Sequence, residues 1–374
     1  MNAEPVAGPV LVVTNDFPPR IGGIETFVAA ACAMLAEQPS KGPTPAVVVL
    51  TSSQPGSDTF DRTVPFPVVR TDRMLLPTGA TRRAAVRLLT GYGCTRVLFG
   101  AAAPLSLLAP ALRTAGAERI VALSHGHETW WATLPGARSL LRQMVAGVDR
   151  LGVISTFTAD RIGAVLPQSD RAKLIRIPPP VDAAFFAVTR PERPARRCLA
   201  AGRLIRQKGF DTLLEAWRLS RPDDEAELVI VGAGPQRRSL ERQADRLGRS
   251  VRFAGPVPHD RMPGLMADAD MFALPVRTRL AGLNPEGLGL VCAEAAAAGL
   301  PVVVGESGGT AETVRAGETG WLVPPADPAA LAVRLQELIA DPARARLMGE
   351  AGRRHAADRF CHALVRAALL TALG

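Results

Sequence analysis

Apolar runs of three or four residues recur along the chain, each followed by a glycine-bearing loop and then by a longer stretch of helical character. In the first half Val10-Leu11-Val12-Val13 predicts a strand, Phe17 to Gly23 a loop and Ile24 to Leu35 a helix. Val47 to Leu50, Val97 to Phe99 and Ile120 to Leu123 continue the series. That alternation predicts βαβ units and parallel sheets. The rhythm breaks at Val188 to Arg197, a segment rich in Pro, Arg and Ala that follows Pro178-Pro179-Pro180 and is expected to link two domains. It then restarts with a strand at Cys198 to Ala201, a loop to Gly209 and a helix from Phe210 to Leu219. Later strands are expected at Leu228 to Val231, Val251 to Phe253, Met271 to Leu274 and Pro301 to Val304. The expected fold class is α/β, two Rossmann-like halves of similar size, with ligands at the carboxyl ends of the strands.

Length agrees, since 374 residues make two ordinary domains, and 47% apolar with 21% charged residues excludes a disordered or fibrous chain. No uncharged stretch is longer than the one from Val97 to Leu112, which is interrupted by Gly100, Pro104 and Pro110 and falls short of the roughly 20 apolar residues a spanning helix needs. Met1 to Pro9 carries Glu4 and no basic cluster ahead of an apolar run, so no secretory signal and a cytoplasmic location are expected. The five cysteines, at 32, 94, 198, 292 and 361, include no C-x-x-C pair and are expected as small core residues rather than a zinc knuckle or a disulfide framework.

The net charge is 44 − 35 = +9, and 41 of the 44 cations are Arg. Between Arg73 and Arg142 nine Arg stand against Glu118 and Glu128, a local excess of +7. Within that stretch Arg82, Arg83 and Arg87 alternate with Ala84, Ala85, Val86, Leu88 and Leu89 as a basic amphipathic surface. An anionic membrane surface fits it better than nucleic acid, because one Tyr and few other aromatics leave little for base stacking. An Arg-rich solvated face is the alternative.

Candidate chemistry lies in the loops. In Glu286-Gly-Leu-Gly-Leu-Val-Cys-Ala-Glu294 two carboxylates stand eight residues apart, and charge-assisted acceptors of this kind suit paired sugar or ribose hydroxyls. Gly287 and Gly289 let backbone N–H groups approach an anion at a helix start, ahead of a small-residue helix from Ala293 to Ala298. A capped helix with two surface acids is the other reading. Arg203 and Lys208, in Gly-Arg-Leu-Ile-Arg-Gln-Lys-Gly, are two cations beside a helix start and suit a diphosphate, with Gly22-Gly23 as their counterpart in the first half. Either is also compatible with a plain glycine turn.

Ser124-His125-Gly-His127-Glu128 ends a strand, and its two His at i, i+2 lack a third ligand nearby for zinc. A hydrogen-bonding or proton-handling role, or a ring satisfied in the core, remains. Gly305-Glu-Ser307-Gly-Gly309 matches the G-x-S-x-G elbow with His355 or His362 downstream, yet a hydrolase of that type needs one sheet of about eight strands. Gly232-Ala-Gly234-Pro235 lacks the third glycine of a dinucleotide loop, and Asp268-Ala-Asp270 is expected to cap or position the strand it enters.

Together these motifs resemble the retaining GT-B glycosyltransferases of family four over essentially the whole chain. The E-x7-E element with its glycines, the Gly-Arg…Lys-Gly loop and the N-terminal Gly-Gly loop stand in the family's order and at family-like separations. More narrowly, Val-Thr-Asn-Asp-Phe-Pro-Pro-Arg-x-Gly-Gly-Ile, Phe-Gly-Ala-Ala-Ala-Pro-Leu, His-Gly-His-Glu and Arg-Thr-Arg-x-Ala-Gly are similar to the actinobacterial mannosyltransferases of phosphatidyl-myo-inositol monomannosides. Pro178-Pro-Pro-Val-Asp182 and Leu280 to Pro285 depart from the family's usual strings.

The resemblance implies a GT-B fold, two Rossmann-like domains with parallel sheets facing an interdomain cleft. Residues 1–190 would be the acceptor side and 191–357 the nucleotide-sugar side, with a C-terminal helix at about 358–374 packing back on the first domain. It implies a nucleotide-sugar donor, GDP-mannose, whose diphosphate Arg203 and Lys208 would hold. Glu294 would take the ribose, Glu286 the donor sugar beside the amides of Gly287, Leu288 and Gly289, and the loop around Gly255 and Val257 the base. Gly22 and Gly23 would meet the phosphates, and His127 the donor sugar near the reacting centre. It further implies a glycolipid acceptor at the inner membrane face, no metal or other cofactor, and no nucleic-acid partner. A family-four enzyme with another nucleotide sugar or a soluble acceptor, and a catalytically silent nucleotide-sugar-binding protein, are the alternatives.

Overall fold

The computed structural model describes residues 8–20, 22–38, 44–190, 196–220, 225–280 and 282–374. The expected leaderless start at 1–7, Ile21 and the middle of the expected linker, 191–195, lie outside them. The chain divides into two compact units, Met1–Pro180 with Ala363–Gly374, and Val181–His362.

The first unit is built on seven parallel strands: β1 (Val10–Val13), β2 (Val47–Ser52), β3 (Val68–Thr71), β4 (Arg96–Phe99), β5 (Arg119–Ser124), β6 (Arg150–Val153) and β7 (Leu174–Arg176). Their order is β3-β2-β1-β4-β5-β6-β7, and Val10 lies opposite both Val47 and Arg96. Helices cover both faces of such a sheet, so its inner strands read as unbroken apolar runs, and every residue of β1 is buried. The pattern of runs does not reveal β3, β6 and β7. The edge strands β3 and β7 are only half-buried and carry Arg70 and Arg176, while β6 opens on Arg150 and is interrupted by Gly152.

The last helix, His362–Leu373, belongs to this unit. Helix ends leave carbonyls unpaired, and here Arg96 and Arg119 donate to Leu373 O and Ala372 O, each at 2.8 Å. Arg113 pairs with Asp149 at 2.6 Å, and Arg138 and Arg142 donate to the carbonyls of Ala132 and Val165. The +7 excess is therefore not one docking patch, because five of its nine Arg are engaged within the fold. Arg73, Arg82, Arg83 and Arg87 are exposed and have no side-chain partner among the described residues. The last three lie on the helix Gly79–Gly91, which Thr78 caps and which buries Thr81, Ala85 and Leu89 at four-residue spacing.

The second unit has six parallel strands: β8 (Arg197–Ala201), β9 (Glu227–Val231), β10 (Val251–Gly255), β11 (Met271–Leu274), β12 (Val302–Gly305) and β13 (Gly320–Val323), in the order β10-β9-β8-β11-β12-β13. The sequence pattern misses β13, a four-residue edge strand that starts on glycine. The expected linker needs correction. Val188 is buried, and the Arg190 guanidinium donates to the carbonyls of Ala269, Gly299 and Asp270. On the far side the Asp270 carboxylate accepts from the backbone N–H of Arg196 and Arg197, so this acid anchors the start of β8 rather than, as expected, the strand it enters, β11. Pro and Arg make the segment look solvated, but its arginine satisfies carbonyls of the second unit.

In both sheets the strand order reverses beside the first strand, between β1 and β4 and between β8 and β11. Loops at such switch points hold ligands in open α/β sheets. Four of the five cysteines are buried, and no helix among the described residues is long and apolar enough to cross a membrane.

Candidate active site

In the second unit the loop after β8 carries Arg203 to Lys208 and closes on Gly209, whose φ is +71°. A Cβ there would run into the carbonyl of Pro275, so the loop must turn through glycine to enter the helix Phe210–Ser220. The Gly232-Ala-Gly segment braces this loop, with Leu204 N–H donating to Ala233 O at 2.8 Å. Lys208 Nζ lies 3.0 and 2.9 Å from the two oxygens of Glu286, with both side chains largely covered at 13% and 14% exposure. Glu286 is clamped at its main chain as well. Its N–H donates to Ser307 Oγ at 3.2 Å, and its carbonyl accepts from Gly309 N at 2.9 Å.

That clamp replaces the hydrolase reading of Ser307. The hydroxyl is buried, shared with Thr278 Oγ1 at 2.8 Å and with the Glu286 amide, while His355 Nε2 lies against the carbonyl of Glu312 at 2.9 Å. Burial pushes the His355 ring below its ordinary pKa.

Glu294 is buried on the helix Leu290–Ala297, which begins three residues earlier than expected. Its Oε1 lies 2.9 Å from His259 Nε2. This hydrogen bond raises the His259 pKa above 6.5 against an opposing desolvation, and Phe185 packs beside the ring at 5.4 Å. The two glutamates are thus not surface acids. Buried Cys292 lies among them: desolvation pushes its thiol up, and the charges of Lys208, Glu286 and Glu294 are all felt there. The helix starts at Gly289 without a side-chain cap, which leaves its first N–H groups for another acceptor. Gly287 is half-buried and Leu288 buried; Gly255 ends β10, and half-buried Val257 lies on the loop leading to His259. Arg203 is exposed with no partner among the described residues.

In the first unit Gly22 and Gly23 open the helix Gly23–Ala36 with no side-chain cap. The space beside Gly22 holds the carboxylate of Glu25, which pairs with Arg20 at 3.0 Å, so the chain's own anion already faces this helix start. At the end of β5 the two histidines separate. His125 Nε2 lies 2.5 Å from Gly100 O; burial pushes its pKa down while the Glu128 carboxylate opposes this. His127, with 46% of its side chain exposed, stacks its ring on His125 at 6.4 Å and 9°. Its Nε2 lies 3.5 Å from Oε1 of fully buried Glu128. No group of three or more metal-binding side chains occurs among the described residues.

The second unit brings Lys208, Glu286, Gly289 and Glu294 together, whereas Arg82, Arg83 and Arg87 occupy a separate helix of the first. Sequence reasoning missed His259, the Ser307 clamp and Glu25. Only Ser307 carried a local signal, its glycine-flanked turn after a strand, and that signal pointed to other chemistry.

Two parallel-sheet units with such loops at their switch points are those of a GT-B glycosyltransferase. Anabaena HepE, solved in complex with UDP, shares the fold with a TM-score of 0.75 at 19% identity, over 96% of this chain and 97% of that one. Residues 21–185 match the family model of Glycosyltransferase Family 4, and residues 184–355 that of Glycosyl transferases group 1. A GDP-mannose-dependent alpha-(1-6)-phosphatidylinositol monomannoside mannosyltransferase of Mycolicibacterium smegmatis is 40% identical over 372 residues, covering 94% of each chain. Its monoacylated-acceptor counterpart from Corynebacterium glutamicum is 38% identical over 363 residues, covering 92% of each. The chain belongs to glycosyltransferase family 4 and is an enzyme of that family.

Proposed function

We propose that the enzyme transfers mannose from GDP-mannose, with retention, to a phosphatidylinositol mannoside at the inner membrane face. The observation that carries the reading is the covered Lys208–Glu286 contact with buried Glu294 nearby, a cation and two acceptors at a switch point. The names of the two relatives supply the donor and the acceptor. Lys208 and Arg203 take the diphosphate, which draws Lys208 from Glu286 and frees that carboxylate for sugar hydroxyls. Glu294 uses Oε2 for the ribose while Oε1 holds His259. Gly287, Leu288 and Gly289 offer amides, Gly255 and Val257 border the base, and Gly22 and Gly23 approach the phosphates.

The bond from C1 to the phosphate oxygen breaks as the acceptor oxygen bonds C1 on the same face, and the departing phosphate takes the acceptor proton. His127 contacts the donor sugar. Lys208, Arg203 and helix amides offset the leaving charge, so no metal is required. The enzyme attaches peripherally through Arg82, Arg83 and Arg87. Met74 and Leu76, 64% and 45% exposed ahead of the same helix, add apolar surface to that attachment.

The test is mannosyl transfer in EDTA to vesicles containing phosphatidylinositol monomannoside. An α-linked dimannoside from GDP-mannose is expected. Transfer only from another nucleotide sugar, or only to a soluble acceptor, overturns the reading.

A further inference from the structure

Glu128 is fully buried, and the proposed reaction leaves it unused. Its Oε2 accepts hydrogen bonds from Ser124 Oγ at 2.9 Å and from the His125 backbone N–H at 3.1 Å. Its Oε1 has none, and among the described residues it is the buried carboxylate oxygen without a hydrogen-bond partner. A buried charged oxygen left unpaired carries its full desolvation penalty, so a fold keeps one only where something else is gained. His127 Nε2 stands 3.5 Å from that oxygen, somewhat beyond hydrogen-bonding distance. The Nε2 of the neighbouring His125 is committed elsewhere, facing Gly100 O.

We propose that Glu128 is a positioning residue for His127. Its Oε1 receives the Nε2–H of the imidazole, fixes ring and tautomer, and leaves Nδ1 as the nitrogen that meets the sugar. Ser124 and the His125 amide hold the carboxylate in place for this. The inference rests on the role of His127 in the proposed transfer, but the pairing itself is measurable without any substrate.

Glu128→Gln keeps the shape and the contacts to Ser124 and His125. With its oxygen held there, the amide turns its NH2 toward His127 and favours the opposite tautomer. The 15N shifts of the neutral His127 ring, assigned by their loss in His127→Ala, should report Nε2–H in the parent and Nδ1–H in Glu128→Gln. Turnover should fall about tenfold or more, with GDP affinity within about twofold of the parent. Nδ1–H in the parent, or unchanged turnover in a folded Glu128→Gln, overturns the proposal. If that variant fails to fold, the parent spectrum decides alone. A parent with the expected tautomer and no mannosyl transfer would instead overturn the proposed function.

Discussion

In the second unit the charged groups assigned to the donor, Arg203 excepted, are already held: Lys208 by Glu286, Glu294 by His259, and the Glu286 main chain by Ser307 and Gly309. In the first unit His127 is half-exposed, and Arg82, Arg83 and Arg87 reach solvent without a partner among the described residues. Groups fixed in advance meet a ligand of constant shape and charge with little reorganisation. Groups left free suit a surface whose composition and spacing vary, and their attraction is screened by salt. On the proposed reading the second unit serves as a socket and the first as a contact face with one fixed element, the buried carboxylate behind His127.

The contrast breaks most visibly at His127. His127→Ala should lower turnover by about a hundredfold or more while GDP affinity by calorimetry stays at the parental value; a loss confined to GDP binding would move this residue to the nucleotide. Next comes the membrane. Arg82→Glu, Arg83→Glu and Arg87→Glu together should release the protein from phosphatidylinositol vesicles, at roughly 1 kcal/mol per basic residue near the surface, with GDP affinity intact. Flotation of the triple variant like the parent, or equal binding of the parent to neutral vesicles, would make the helix a solvated face only.

Lys208→Ala should weaken GDP binding by about 1.5–3 kcal/mol, the range for a hydrogen bond to a charged group, and leave vesicle binding unaltered. Unchanged GDP affinity would remove the diphosphate role. The smallest effect concerns His259. Its folded pKa is raised by the bond to Glu294, so the stabilisation is complete below pH 6.5 and is lost as the pH rises through the raised value. The ring is 48% exposed, so solvent screens the pair and the gain is small. The parent should exceed His259→Ala in melting temperature at pH 6 by more than at pH 9; an equal difference at both would leave the pair without a protonic role.

β1, β2, β4, β5, β8, β9 and β11 were legible as apolar runs because parallel strands buried on both faces tolerate few polar residues. The edge strands β3, β7 and β13 were not, since one side of each is open to solvent and admits Arg70, Arg176 or a glycine; the remaining edge strand, β10, was legible at Val251 to Phe253. Glu286 with Glu294, and Arg203 with Lys208, were legible for a related reason: each pair lies within one loop-and-helix segment, so its spacing is set by the local backbone.

What the sequence by itself determined is thus the set of local units, their apolar strands, glycine turns and the charges carried on each turn. What only the tertiary structure decided is which of those charges meet. Lys208 reaches Glu286 across 78 residues, His259 reaches Glu294 across 35, and Arg190 is drawn onto carbonyls up to 109 residues away. Such pairs depend on the strand order β10-β9-β8-β11-β12-β13, which no periodicity in the chain encodes. Even Glu128, one residue from His127, is fully buried just past the end of β5, which β4 and β6 flank, and burial of that kind depends on neighbours distant in sequence.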